Sequence, residues 1–127
     1  MFDETLMDVA RRVVEANREG PQATREMFKT LYAADVVSVE AVAMESDGGD
    51  ASGAGREARG HEAILGKHDW FDNAFEVHAS SSSDPFFHGE DRFAVIYELD
   101  ATTKATGTRE PMKEVGIYTV QDGKVVR

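Results

Sequence analysis

Residues Lys113 to Val126 read KEVGIYTVQDGKVV. Two stretches of strand-forming residues flank Asp122-Gly123, a dipeptide suited to the tight turn of a β-hairpin. Glu114 is the odd residue. It shares one strand face with Met112, Gly116, Tyr118 and Val120, because side chains alternate across a strand. Either this acid lines a cavity, or it faces solvent and pairs with a basic side chain on the next strand.

The strand pattern extends upstream. RFAVIYELDA is a strong strand, TKATG turns the chain, and TREPMKEVGIYTV follows as the next strand, with KVVR beginning the last. FEVHASSSSDPFFH reads as an earlier strand with a serine-rich middle, and His88 to Asp91 form a turn.

The first part of the chain has helical spacing. Asp3 or Thr5 can cap a helix to about Arg18, with Leu6, Val9, Val13 and Ala16 along one face. Gly20-Pro21 ends it and opens a second helix to about Tyr32, burying Met27, Phe28 and Leu31. DVVSVEAVAM, Asp35 to Met44, is rich in the β-branched residues that suit a strand. ESDGGDASGAGREA breaks every pattern and predicts a loop from about Glu45 to Ala58 that could cover a pocket mouth. GHEAILGKHDWFDNA predicts a third helix, with Ile64, His68 and Phe71 on one face. Helices followed by a run of antiparallel strands predict an α+β fold of one domain over residues 1–127, with the sheet curled around three N-terminal helices to leave a conical cavity.

The chain has 127 residues, 41% of them hydrophobic, which suits one folded core. Its 24 acids outnumber 14 bases, and the net charge of -10 opposes direct binding to nucleic acid or an anionic membrane. The absence of cysteine excludes disulfides and thiolate chemistry and fits a cytoplasmic protein. The acidic N-terminus is not a signal peptide, and no run is long and apolar enough to span a bilayer. No metal or cofactor is expected. His61 and His68 stand two helical turns apart, too far for one ion, and GGDASGAG lacks the lysine of a phosphate loop.

Three segments carry a resemblance to a known family: LYAADVVSVEA, REARGHEAILGKHDWF and DATTKATGTREPMKEVGIYTVQDGKVV. Their order and spacing resemble the SnoaL-like branch of the nuclear transport factor 2-like superfamily, whose members include ketosteroid isomerases and polyketide cyclases. The resemblance implies an α+β cone with an apolar pocket, often dimeric through the outer sheet face, where Val115 and Ile117 offer a seam. It does not fix a function, since the superfamily also holds non-enzymatic members. Relatives usually continue the last strand past the turn, so any pocket residue on that extension is expected to be missing after Arg127.

The resemblance places Glu40 where ketosteroid isomerases carry a general-base aspartate, a role that burial in an apolar pocket strengthens. It puts Met112, Glu114, Gly116 and Tyr118 on the concave side. Gly116 takes the place of the isomerase oxyanion-donor aspartate, with Glu114 one pleat away. His78 is a further candidate: if Glu76 and His78 form the inner face of their strand, His78 could meet Glu40 or Glu114 and shuttle a proton. Glu40, Glu114 and His78 are thus the candidate catalytic residues, and Tyr118, Trp70, Phe93, Tyr97 and Met112 the candidate substrate-binding wall. Arg109 could meet an anionic substrate, although its place near a turn favours solvent. The function expected is a small-molecule pocket protein acting on an apolar or carbonyl-containing molecule. It would work as a cofactor-free isomerase, cyclase or dehydratase, or as a non-catalytic ligand-binding or dimeric scaffold domain.

Overall fold

The fold is drawn from a computed structural model that describes residues 4–40 and 56–127. Three helices precede and interrupt a strongly curled antiparallel sheet: α1 (Glu4–Glu19), α2 (Pro21–Leu31), β1 (Val37–Glu40), β2 (Arg56–Arg59), α3 (Gly60–Ala74), β3 (Phe75–Ser82), β4 (Phe86–His88), β5 (Arg92–Thr103), β6 (Thr108–Gln121) and β7 (Lys124–Val125). This is the α+β cone expected from the sequence.

The main sheet runs β3-β5-β6-β7, with β4 also paired to β5. The long β5–β6 ladder pairs Phe93 with Tyr118, Val95 with Gly116, Tyr97 with Glu114 and Leu99 with Met112. Phe93 and Val95 are buried while Ile96, Val115 and Ile117 are exposed, so odd positions of β5 and even positions of β6 face the helices. The core joins Leu6, Val9, Ala10 and Val13 of α1 to Phe28 and Leu31 of α2, and to Phe93, Val95, Val120 and Val125 of the sheet. The apolar face of α1 therefore fills the narrow end of the cone.

The smaller β1–β2 ribbon continues the curl. The Ala33 and Val37 amides donate to the carbonyls of Val125 and Val126, at 2.9 and 3.1 Å, which seats this segment beside β7. The Asp122-Gly123 turn has both residues at positive φ, 52° and 75°, the geometry of the primed hairpin turn predicted from the sequence.

The structure differs from the sequence reading in four places. Thr5 lies inside α1 rather than capping it, and Asp3 is outside the described residues. Arg56 to Arg59 form a strand, not the end of a loop, because they find a partner in β1; the rest of the expected loop, and β1 beyond Glu40, lie outside the described residues. Phe86 to His88 make a separate short strand. Finally, β3 carries a bulge between Val77 and Ala79, where the register with β5 shifts by one residue.

Candidate functional site

The inner face of the sheet gathers hydroxyl groups. Tyr97 on β5 and Tyr118 on β6 approach with their hydroxyl oxygens 2.6 Å apart. Tyr118 pairs with Phe93, four residues from Tyr97 along β5, and the two hydroxyls meet across the intervening Val95–Gly116 pair. Tyr118 stacks on Phe93, ring centroids 4.8 Å apart and planes 14° from parallel. Its ring leans over Gly116, where an added Cβ would lie 2.8 Å from the hydroxyl oxygen. Gly116 is thus the space into which Tyr118 folds.

From α1, the Asn17 amide Nδ2 donates to the Tyr97 hydroxyl at 3.1 Å and to the Val13 carbonyl at 2.9 Å. Thr24, the buried polar residue of α2, donates to the Gly20 carbonyl at 2.9 Å and lies 3.3 Å from Asn17 Oδ1. Tyr32, at the end of α2, contributes a third phenol beside this pair and packs on Phe28. Burial raises all three phenols above the ordinary tyrosine value. Their mutual proximity adds to the rise for Tyr32 and Tyr118, and the field of Glu114 adds to it for Tyr97 and Tyr118. At neutral pH the cluster is therefore a set of protonated donors.

Glu114 stands opposite Tyr97 in the ladder, on the inner face, and is exposed to solvent. Both halves of the question its sequence raised are answered: it belongs to the concave face, at an open part of it. Met112, half-buried, lies on the same face opposite Leu99. Trp70 is half-buried on α3 and meets the Phe75 ring edge-on at 6.1 Å. Phe93 is only 1% exposed and backs Tyr118 from within the core rather than forming open wall. Glu40 ends β1, opposite Arg56; its side chain lies outside the described residues.

His78 is not on the inner face. It shares the outer face with Glu76, which pairs with Thr102, and is exposed, with Nε2 2.7 Å from Thr102 Oγ1. There it neighbours Asp100, which Arg109 binds through two contacts of 3.0 and 2.7 Å. The hydrogen bond from Arg109, with its charge and that of His78, holds the Asp100 carboxyl below the usual aspartate value. The bulge that follows Val77 reverses parity for the rest of β3, so Ser80 and Ser82 turn inward beside Leu99 and Tyr97. Arg109, engaged with Asp100, belongs to this outer network.

Asn17 and Lys67 were not singled out by sequence reasoning. Asn17 sits one helical turn after Val13, a polar residue on the apolar stripe of α1, and that interruption is the signal that marks it. Lys67 of α3 donates to Ser38 Oγ of β1 at 2.8 Å; nothing in the sequence pairs them. Among the described residues no group of three or more histidine and carboxylate side chains could hold a metal ion. An open groove of about 350 Å³ crosses the sheet at Ala79, Ser81, Glu98, Asp100, Pro111 and Lys113, away from the tyrosines. Its charged members are tied into pairs such as Lys113–Glu98 at 3.4 Å, so the hydroxyl cluster is the better centre for chemistry.

With this geometry in place, comparison with known proteins is informative. The family described as the SnoaL-like domain matches residues 5–127. The chain belongs to the SnoaL-like domain family. A solved structure from Mesorhizobium loti, described as a SnoaL-like polyketide cyclase and alongside as a carbohydrate phosphatase, is 30% identical to this SnoaL-like domain. It covers 97% of this chain and 92% of its own, with a TM-score of 0.69. A Δ5-3-ketosteroid isomerase from Mycobacterium sp. is 18% identical, covering 96% and 88% with a TM-score of 0.62. A computationally designed 17-OHP binder is also 18% identical, with the same coverage and a TM-score of 0.60. The last two show the likeness of fold alone. No curated protein matches the chain. No helix among the described residues is long and apolar enough to cross a membrane.

Proposed function

We propose that this SnoaL-like domain, acting as one unit over residues 1–127, holds a small apolar or carbonyl-containing molecule against the inner face of its sheet and moves protons on it. Isomerisation, cyclisation and dehydration are the reaction types that need no cofactor and suit such a site. The observation that carries the reading is the Tyr97–Tyr118 hydroxyl pair, 2.6 Å apart on the face that also bears Glu114. Phenols kept protonated by burial donate hydrogen bonds to a carbonyl oxygen as it gains negative charge. Glu40 is assigned the role of general base, taking the proton next to the carbonyl and, once protonated, returning it elsewhere on the molecule, with Glu114 as a second carboxyl group of the same site. The fold is shared with a ketosteroid isomerase and with a designed 17-OHP binder, which supports a ligand of comparable chemistry.

The test is hydrogen exchange next to a carbonyl. A panel of cyclic ketones, 3-ketosteroids included, is incubated with the protein in deuterium oxide, and deuterium uptake is followed by NMR. Uptake should disappear with Glu40→Gln. It should fall about 10²–10³-fold when Tyr118→Phe removes an oxyanion donor, with the fold unchanged by circular dichroism. A panel that shows no exchange, or an E40Q variant as fast as the parent, would defeat the proposal.

A second reading, a dimeric scaffold, is supported by the outer face. Phe86, Ile96, Val115 and Ile117 are 56%, 38%, 60% and 67% exposed, and the register sets them side by side as Phe86–Ala94–Ile117 and Ile96–Val115. An apolar patch of this kind suits a second copy of the chain. Sedimentation equilibrium should show a dimer that V115K/I117K converts to monomer; a monomeric parent at high concentration removes this reading. A cytoplasmic location goes with either reading and rests on the composition alone.

A further inference from the structure

We propose that Asn17 is a positioning residue that sets the direction of the hydrogen bonds through the tyrosine pair, so that Tyr118 offers its proton to the ligand and the site selects an oxygen acceptor. The proposal rests on the reading that the ligand lies on the inner face.

A backbone carbonyl can only accept a hydrogen bond. The Val13 carbonyl lies 2.9 Å from one end of the Asn17 amide, so that end must be the NH₂ group. Nδ2 has a second hydrogen, and the Tyr97 hydroxyl is 3.1 Å away to receive it. Tyr97 then accepts from α1. A phenol has one proton to give, and the short contact of 2.6 Å carries it to Tyr118. Tyr118 accepts in turn, and its own proton is the one not taken up in the hydrogen bonds described among these residues.

A ligand seated on the inner face over Gly116 would meet that proton, since the Tyr118 hydroxyl lies against that glycine. Glu114 bears on Tyr97 and Tyr118 through its charge, so the acceptor is a ligand oxygen seated beside that carboxylate or in exchange with it. The selected chemistry is a carbonyl or an enolate-like oxygen. A group that brings only a donor would face a donor.

The experiment uses the full chain labelled with ¹³Cζ-tyrosine. With three tyrosines, the spectrum has three signals that Tyr→Phe variants assign. The signals are titrated with pH in the parent, in Asn17→Leu and in Asn17→Asp. Calorimetry on the same three proteins measures binding of 2-tetralone and of the matching alcohol, 2-tetralol. Loss of the Asn17 donor should move the Tyr97 titration upward in N17L, and further in N17D, whose carboxylate can only accept. In N17D the chain reverses, Tyr118 donates to Tyr97, and affinity for 2-tetralone, which can only accept, falls about tenfold, while 2-tetralol, whose hydroxyl accepts or donates, is affected less. N17L, close in size and unable to bond, keeps the test valid should the new carboxylate disturb α1. Tyrosine titrations that ignore both substitutions would overturn the proposal. So would 2-tetralone binding with parental affinity and preference to N17D. Titrations that respond to Asn17 in a protein that binds neither probe would uphold the directed chain and defeat the ligand site.

Discussion

Gly116→Ala is the substitution whose sign is most informative. A glycine inside a strand ordinarily weakens it, and alanine is favoured by about 0.5–1 kcal/mol through reduced chain entropy. Gly116 does not need unusual backbone angles, since it is not among the residues at positive φ. What it provides is space. The added Cβ would sit 2.8 Å from the Tyr118 hydroxyl oxygen, 2.9 Å from Cε2 and 3.1 Å from Cζ. The ring must therefore retreat by roughly half an ångström to reach ordinary van der Waals contact. Its retreat is limited, because it stacks on Phe93, which is 1% exposed and fixed in the core. Overpacking of this kind costs about 1–3 kcal/mol. A lost Tyr97–Tyr118 bond adds about 0.5–1.5 kcal/mol. Set against the backbone gain, the net expectation is a loss of about 1–3 kcal/mol. Urea unfolding followed by circular dichroism measures it, with the slope checked for two-state behaviour. A variant more stable than the parent by about 0.5–1 kcal/mol, the value for an unobstructed strand glycine, would show that Tyr118 does not lie over this residue.

His68 and Gly123 give two further tests. His68 packs on Phe28 at 4.8 Å, and burial holds its imidazole below the ordinary value of 6.5. The unfolded chain then binds the proton first, so stability should fall as pH drops below about 6.5. Asp72, Asp69, Arg25 and Lys67 surround it and are unchanged in His68→Leu, so urea melts at pH 7.5 and 5.0 should show a smaller loss for that variant; an equal loss would assign the pH dependence elsewhere. Gly123 holds φ at 75° in the β6–β7 turn, and Gly123→Ala should cost about 1 kcal/mol by thermal unfolding. An unchanged midpoint would mean the turn has another geometry.

The helices and hairpins were legible because each announces itself locally. The α1 stripe, the Gly20-Pro21 break and the Asp122-Gly123 turn are readable within a few residues, and the structure reproduces them. What escaped depended on partners. Arg56 to Arg59 carry no strand pattern of their own and become β2 only against β1. The misplacement of His78 has a different cause: alternation separates two faces without saying which is inner, and the register sets Val77 inward beside Ala101 and Glu76 outward beside Thr102, so His78 goes out with Glu76. Nothing local marks the bulge that then turns Ser80 and Ser82 inward. The tyrosine pair is an intermediate case. Parity placed Tyr118 with Glu114, but only the β5–β6 register brings Tyr97 to it, and only the docking of α1 brings Asn17, 80 residues away in sequence, to Tyr97.

The protonation states of that cluster lead to a prediction about pH and rate. If the tyrosines supply protons to a developing oxyanion, activity must survive until they ionise. Burial, the strongest influence on both Tyr97 and Tyr118, raises them above the ordinary value of 10.0, and the charge of Glu114 acts in the same direction. A carboxylate base must instead be ionised to act, so its loss sets the acid side. The expected profile of kcat/KM for a ketone substrate therefore rises once through the acid range and then stays level past pH 10. The Tyr118→Phe variant should lie lower at every pH, with the acid limb unmoved, because it removes a donor and not the base. A fall between pH 8 and 9 in the parent would mean that a different acid, with a lower pKa, supplies the proton, and the phenol pair would lose its assigned role.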